Sequence, residues 1–174
     1  GLILMELALF ALLAPLLWAR GWRPAMLGLE FSWQDLRMGF MLFQLCFIGS
    51  ALLMSGAALL AEGTGPWWER MEGAQLSVLA ILAVSIVNPI FEEVFVCGYV
   101  IRALERTRGT SFAVNTSVAL RASYHLYQGA LGVLGIIVIG LILGWWFARK
   151  GRLWPVILAH GLLDLVALLI LGMS

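Results

Sequence analysis

Charge is scarce in this sequence. Only 12% of its 174 residues are Asp, Glu, Lys or Arg, about half of the ~25% typical of a soluble domain, so water is not the solvent in which the chain folds. It also lacks a polar half that would fold as a separate soluble domain. No internal repeat, low-complexity tract or Gly/Ser linker interrupts it, so residues 1–174 are expected to form one integral membrane domain. Cysteine is limited to Cys46 and Cys97, both inside apolar runs. There a lone cysteine acts as a small hydrophobe and says little about redox compartment. The net charge of +1 gives no ground for a nucleic-acid partner.

Apolar sequence is abundant: 62% of residues are hydrophobic and the mean hydropathy is +0.97. A helix crossing ~30 Å of hydrocarbon needs about 20 apolar residues. Six segments qualify: Leu2 to Ala19, Met38 to Ala61, Leu76 to Ile101, Ser111 to Tyr127, Leu131 to Ala148 and Leu153 to Gly172. The expected fold is all-α, a polytopic transmembrane bundle of about six helices in a lipid bilayer. Gly28 to Arg37 is mixed in polarity and is expected to be an interfacial helix. Ala19-Arg20-Gly21-Trp22-Arg23 follows the first apolar run where a signal peptide would show a small-residue cleavage site, so that run is expected to be a membrane helix.

Lys and Arg accumulate in cytoplasmic loops. Here they fall in alternate connections: Arg20, Arg23 and Arg37 in the first, Arg102, Arg106 and Arg108 in the third, Arg149, Lys150 and Arg152 in the fifth. The second connection holds Glu62, Glu69 and Glu72 against Arg70. Both termini are therefore expected on the non-cytoplasmic side. Trp18, Trp22, Trp33, Trp145, Trp146 and Trp154 mark the basic interface, and Trp67 and Trp68 the other.

One basic residue is left over. Arg121 falls inside the fourth helix, where a charge costs about 2.5–3.5 kcal/mol on insertion scales and therefore faces a polar cavity and a partner. Glu92, Glu93 and Asp164 require the same explanation, and His125 and His160 are also within helices. Arg121 and His125 are four residues apart, as are His160 and Asp164, so each pair shares a helix face. Ser85, Asn88 and Glu92 form a polar stripe, and Glu93 is rotated about 100° from it, so the two glutamates have different roles. Pro89, one turn earlier, removes a backbone donor and is expected to kink the helix. At about 1.5 Å per residue, Glu92 lies roughly 15 Å from Arg102 and His160 roughly 12 Å from Arg152, but His125 roughly 21 Å from Ser111. His125 is thus the one deeper group.

These motifs resemble the CAAX prenyl protease and bacteriocin-processing (CPBP, or ABI) family of intramembrane glutamic endopeptidases. The first motif is Phe91-Glu92-Glu93-Val94-Phe95-Val96-Cys97-Gly98-Tyr99, the second Arg121-Ala122-Ser123-Tyr124-His125, the third His160-Gly161-Leu162-Leu163-Asp164. Order, spacing and membrane setting agree from Pro89 to Asp164, within a motif-bearing core of about residues 76–172. Two positions depart: the family usually has an arginine where Cys97 stands and an aromatic where Arg121 stands. The two exchanges are expected to compensate, with Arg121 pairing with Glu93.

The resemblance implies hydrolysis of a peptide bond in a membrane-associated substrate: a CAAX-like peptide, a secreted-peptide precursor or a sorting-signal tail. Glu92, assisted by His125, would activate water. His160 and Asp164 would polarise the carbonyl, with Asp164 orienting His160 because an ionised Asp makes a poorer oxyanion donor than Asn. Glu93, Arg121 and Asn88 would support them. Three carboxyls beside one arginine in a low dielectric are not expected all to ionise, which suits a proton shuttle. No cofactor is implied. Three other readings compete. A zinc protease would be chelator-sensitive, although neither His pair forms HExxH. A proton-coupled transporter commonly shows repeated halves, which are absent here. The Cys97 exchange leaves open an inactive relative that binds a client, such as a bacteriocin-immunity partner. A short, loop-poor chain points to a bacterial inner membrane.

Overall fold

The computed structural model describes residues 2–60 and 76–172, whose regular structure is entirely helical. The second connection, with its acidic residues and Trp67 and Trp68, lies outside the described residues. The helices are α1 (Leu2–Ala19), α2 (Gln34–Leu60), α3 (Val78–Glu93), α4 (Arg102–Arg108), α5 (Thr110–Tyr124), α6 (Gly129–Lys150) and α7 (Trp154–Gly172). A π-helical segment, Val94–Ile101, joins α3 to α4 without a break, so residues 78–108 run as one long helix. Short 3-10 turns occupy Pro24–Leu27 and Leu126–Gln128.

Among the described residues, three stretches are long and apolar enough to cross a membrane: Gln34–Ala57, Val78–Arg108 and Leu126–Lys150. α1 and α7 are apolar and shorter; the 18 residues of α1 extend roughly 27 Å, close to the ~30 Å of hydrocarbon. The protein is thus a helical membrane bundle. α5, at 15 residues, extends only roughly 22 Å. It ends at Tyr124 rather than Tyr127 and is the most polar of the long helices, so it lodges among its neighbours.

The expected interfacial helix over 28–37 does not form. Gly28 ends the preceding 3-10 turn in the left-handed region at φ 76°, and a Cβ there would collide with the Gly151 carbonyl. Asp35 then sets the start of α2. Its Oδ2 accepts the Ser32 N–H at 2.7 Å, half of a capping box, so Gln34 to Arg37 become the first turn of the membrane helix. Arg152 clamps the same carboxylate from the α6–α7 connection, with Nε 2.7 Å from Oδ1 and Nη2 2.6 Å from Oδ2. Leu153 N donates to the Gly28 carbonyl at 2.8 Å and Trp154 Nε1 to the Leu29 carbonyl at 2.9 Å. The two basic connections are in this way tied into one layer.

In lipid, helices associate through close packing and small residues. α2 lies against α6 and α7, α5 against α6 and the π segment, and α1 against α3. Cys46, Cys97, Ile101, Val114, Leu143 and Phe147 lie at the buried centre. The closest approach of α3 to α7 is at Gly161, where an added Cβ would stand 2.7 Å from the Ser85 carbonyl oxygen. That carbonyl is the one deprived of its helical donor by Pro89, four residues on. Pro89 therefore leaves α3 helical to Glu93, and the departure from α geometry comes one turn later, in the π segment.

Two measurements test these contacts. Asp35→Ala is expected to lower stability by about 1.5 kcal/mol, the low end for hydrogen bonds to a charged group because Arg152 is partly solvated; an unchanged thermal midpoint in detergent would show that the clamp carries no weight. Gly161→Ala is expected to cost about 1–3 kcal/mol by overpacking α3 against α7, read in the same assay, whereas Gly56→Ala, with open space around its added Cβ, is expected to be tolerated.

Candidate active site

Four helices bring the ionisable residues together. α3 ends on Glu92 and Glu93, α5 contributes Arg121 and Tyr124, and α7 contributes His160 and Asp164. α6 makes the room: at Gly140 an added Cβ would meet Val118 Cγ2 at 3.3 Å and Arg121 Cδ at 3.5 Å. Within the π segment the Val96 carbonyl accepts a hydrogen bond from Ser117 Oγ at 2.9 Å. This bond fixes α5 one turn before Arg121. Irregular turns of this kind often mark functional sites.

Glu93 is fully buried and Arg121 is 2% exposed. Arg121 Nη2 stands 2.6 Å from Glu93 Oε1, the pairing expected from the Cys97 and Arg121 exchanges. His160 Nδ1 bonds the same oxygen at 2.7 Å. Arg121 Nη1 lies 3.5 Å from His160 Nδ1 and 3.6 Å from Glu92 Oε2. On the other edge of the imidazole, Nε2 faces Asp164 Oδ1 at 3.5 Å. Asn88 Nδ2 donates to Asp164 Oδ2 at 2.9 Å, so the polar stripe of α3 holds the carboxylate that faces His160.

The two glutamates differ as their rotation requires. Glu93 is enclosed and engaged by Arg121 and His160, whereas the Glu92 side chain keeps 11% exposure. Tyr124 Oη donates to Glu92 Oε2 at 2.7 Å. His125 does not bond Glu92. It caps α5 at φ −100°, ψ 7°, with Nδ1 3.0 Å from the Arg121 carbonyl, which places the proton on Nδ1 and leaves Nε2 with its lone pair. The ring lies against Tyr124 and Tyr127. α5 brings Arg121 to Glu93, and His125 follows one turn later.

Two residues at the site carried no assignment from the sequence. Tyr124 is one; its neighbourhood with Glu92 depends on how α5 docks. The other is Glu6, the one charged residue of α1, buried at 2% exposure and within electrostatic reach of Glu92, Asp164 and His160. A lone acid in an apolar helix was its signal. Among the described residues, no three His, Cys, Asp or Glu side chains converge in an arrangement suited to a metal ion.

A helical membrane bundle whose buried ionisable residues meet at one polar centre defines the class, an integral membrane protein with a charged intramembrane cluster. Residues 74–166 match the Rce1-like family, type II CAAX prenyl endopeptidases. The match covers more than half of the chain, which belongs to this family of membrane peptidases. No curated protein and no solved structure matches the chain. The matched segment contains Glu92, Glu93, Arg121, His125, His160 and Asp164; Glu6 precedes it.

Cys97 is fully buried beside Glu93 and Arg121, where an arginine side chain would meet the same carboxylate. Arg121→Phe is expected to leave Glu93 uncompensated at a cost of about 3–5 kcal/mol and to abolish peptide cleavage. Adding Cys97→Arg is expected to recover both stability and cleavage. A double variant no better than the single one would show that the two positions do not substitute for each other.

Proposed function

We propose that this chain is a glutamic-type intramembrane endopeptidase in which Glu92 activates the water. The observation that carries the reading is the division of labour between adjacent carboxylates. Glu93 is neutralised and enclosed by Arg121 and His160, while the Glu92 side chain keeps 11% exposure and is oriented by Tyr124. A base needs an unshielded lone pair near the water, and Glu92 has one. His125, with Nε2 unprotonated on the neighbouring helix end, is the second acceptor for the water's protons. His160, held from behind by Glu93, offers its Nε2 edge to the carbonyl oxygen, and Asp164, held by Asn88, orients that edge.

Under this reading no cofactor is required. The substrate is a membrane-associated peptide or protein: a CAAX-like C-terminus, a secreted-peptide precursor or a sorting-signal tail. Its setting is a bacterial inner membrane, with the layer of Arg102, Arg149 and Arg152 in the cytoplasm and both termini on the other side.

The test is cleavage of membrane-anchored peptides by purified protein in detergent. Glu92→Ala is expected to lower kcat by about 10²–10⁴-fold, with wild-type activity unaffected by a strong chelator. Chelator-sensitive cleavage would replace this reading with a zinc protease. A folded protein that binds such peptides and cleaves none would replace it with an inactive client-binding relative.

A further inference from the structure

Peptide hydrolysis needs a proton donor as well as a base. The amine leaving a peptide bond departs only when its nitrogen is protonated, and the acid that does this must lie at the site with its own proton free to give. The acids already described are committed. Glu92 accepts from Tyr124 and receives the water's proton. Glu93 is ion-paired to Arg121 and bonded by His160, both through Oε1, with its Oε2 buried and unpartnered, and Asp164 accepts from Asn88 and faces His160.

Glu6 is not committed. Its Oε2 is buried with no hydrogen-bond partner, and among the described residues no ion pair includes it. Its charged neighbours are Glu92, Asp164 and His160, and the histidine is held by the other carboxylates. A carboxyl in hydrocarbon, with two carboxylates close by and no cation of its own, belongs there as the neutral acid. α1 carries it at the edge of the bundle, packed on α3, and the helix's outer face, with Leu4, Leu12 and Trp18 exposed, looks to lipid.

The geometry points to Glu6 as the general acid of the reaction, an assignment that rests on the peptidase reading above. Water oxygen bonds to the carbonyl carbon as Glu92 takes one proton. The C–N bond then breaks as the Glu6 carboxyl gives its proton to the nitrogen. Transfer of the proton held by Glu92 to the Glu6 carboxylate restores both groups, with one water consumed.

A leaving group that needs no proton separates this role from a structural one. The probes are a prenylated CAAX peptide and the nitrophenyl ester of the same prenylcysteine acyl group, whose phenolate departs unaided. Glu6→Gln is expected to lower kcat for the peptide by about 10²–10⁴-fold while leaving ester cleavage within about threefold of wild type. Glu6→Asp, which keeps an acid, is expected to regain part of the peptide activity. Undiminished peptide cleavage in Glu6→Gln overturns the assignment, and so do equal losses on both substrates with Glu6→Asp no better than Glu6→Gln. Glu92→Ala is the separate control, expected to lose both substrates; if it cleaves the peptide normally, the base assignment fails whatever the Glu6 variants show.

Discussion

The site depends on one buried contact, the Glu93 oxygen that receives both Arg121 and His160. Each of these groups is costly to place in hydrocarbon alone, and removing one partner of a buried pair typically costs about 3–5 kcal/mol. Together they lock α3, α5 and α7 at one depth and one rotation. The other site groups take their positions from that lock. Glu92 is one residue earlier and therefore turned about 100° from that contact, Tyr124 is one turn past Arg121, and Asp164 is one turn past His160.

Around this contact the helices are irregular where close approach demands it. Pro89 frees the Ser85 carbonyl, and Gly161 is small enough to lie against it. In the π segment the Val96 carbonyl accepts from Ser117. Gly140 leaves space for the Arg121 side chain. In a bilayer, where helices gain little from hydrophobic association, such fits decide which faces meet. Proline, a widened turn and small residues are in this sense part of the site, since they bring charged groups from three helices within hydrogen-bonding distance.

Much of the fold was legible because a membrane imposes a simple rule. Apolar runs of the right length must be helices, since no other open structure satisfies the backbone in hydrocarbon. α1, α6 and α7 fall where hydropathy puts them, within a few residues. The misreadings have physical causes. The segment over 28–37 looked amphipathic, but Asp35 caps α2 and binds Arg152, a residue more than a hundred positions away. At Pro89 α3 stays helical, and the carbonyl that the proline orphans faces a glycine of α7.

The site divides in the same way. From sequence alone came the identity of Glu92, Glu93, Arg121 and Asp164 as charges within helices, the faces shared by Arg121 with His125 and by His160 with Asp164, and the need of Arg121 for an acidic partner, because the cost of a lone charge in hydrocarbon and the 3.6-residue period follow from local chemistry. Only the tertiary structure decided which oxygen meets which donor. It placed Arg121 on Glu93 more closely than on Glu92, gave Glu92 to Tyr124 rather than His125, and brought Glu6 from the far end of the chain to the same centre. Those choices depend on the rotation and depth of whole helices, set by packing among residues distant in sequence, and no spacing within a single helix encodes them.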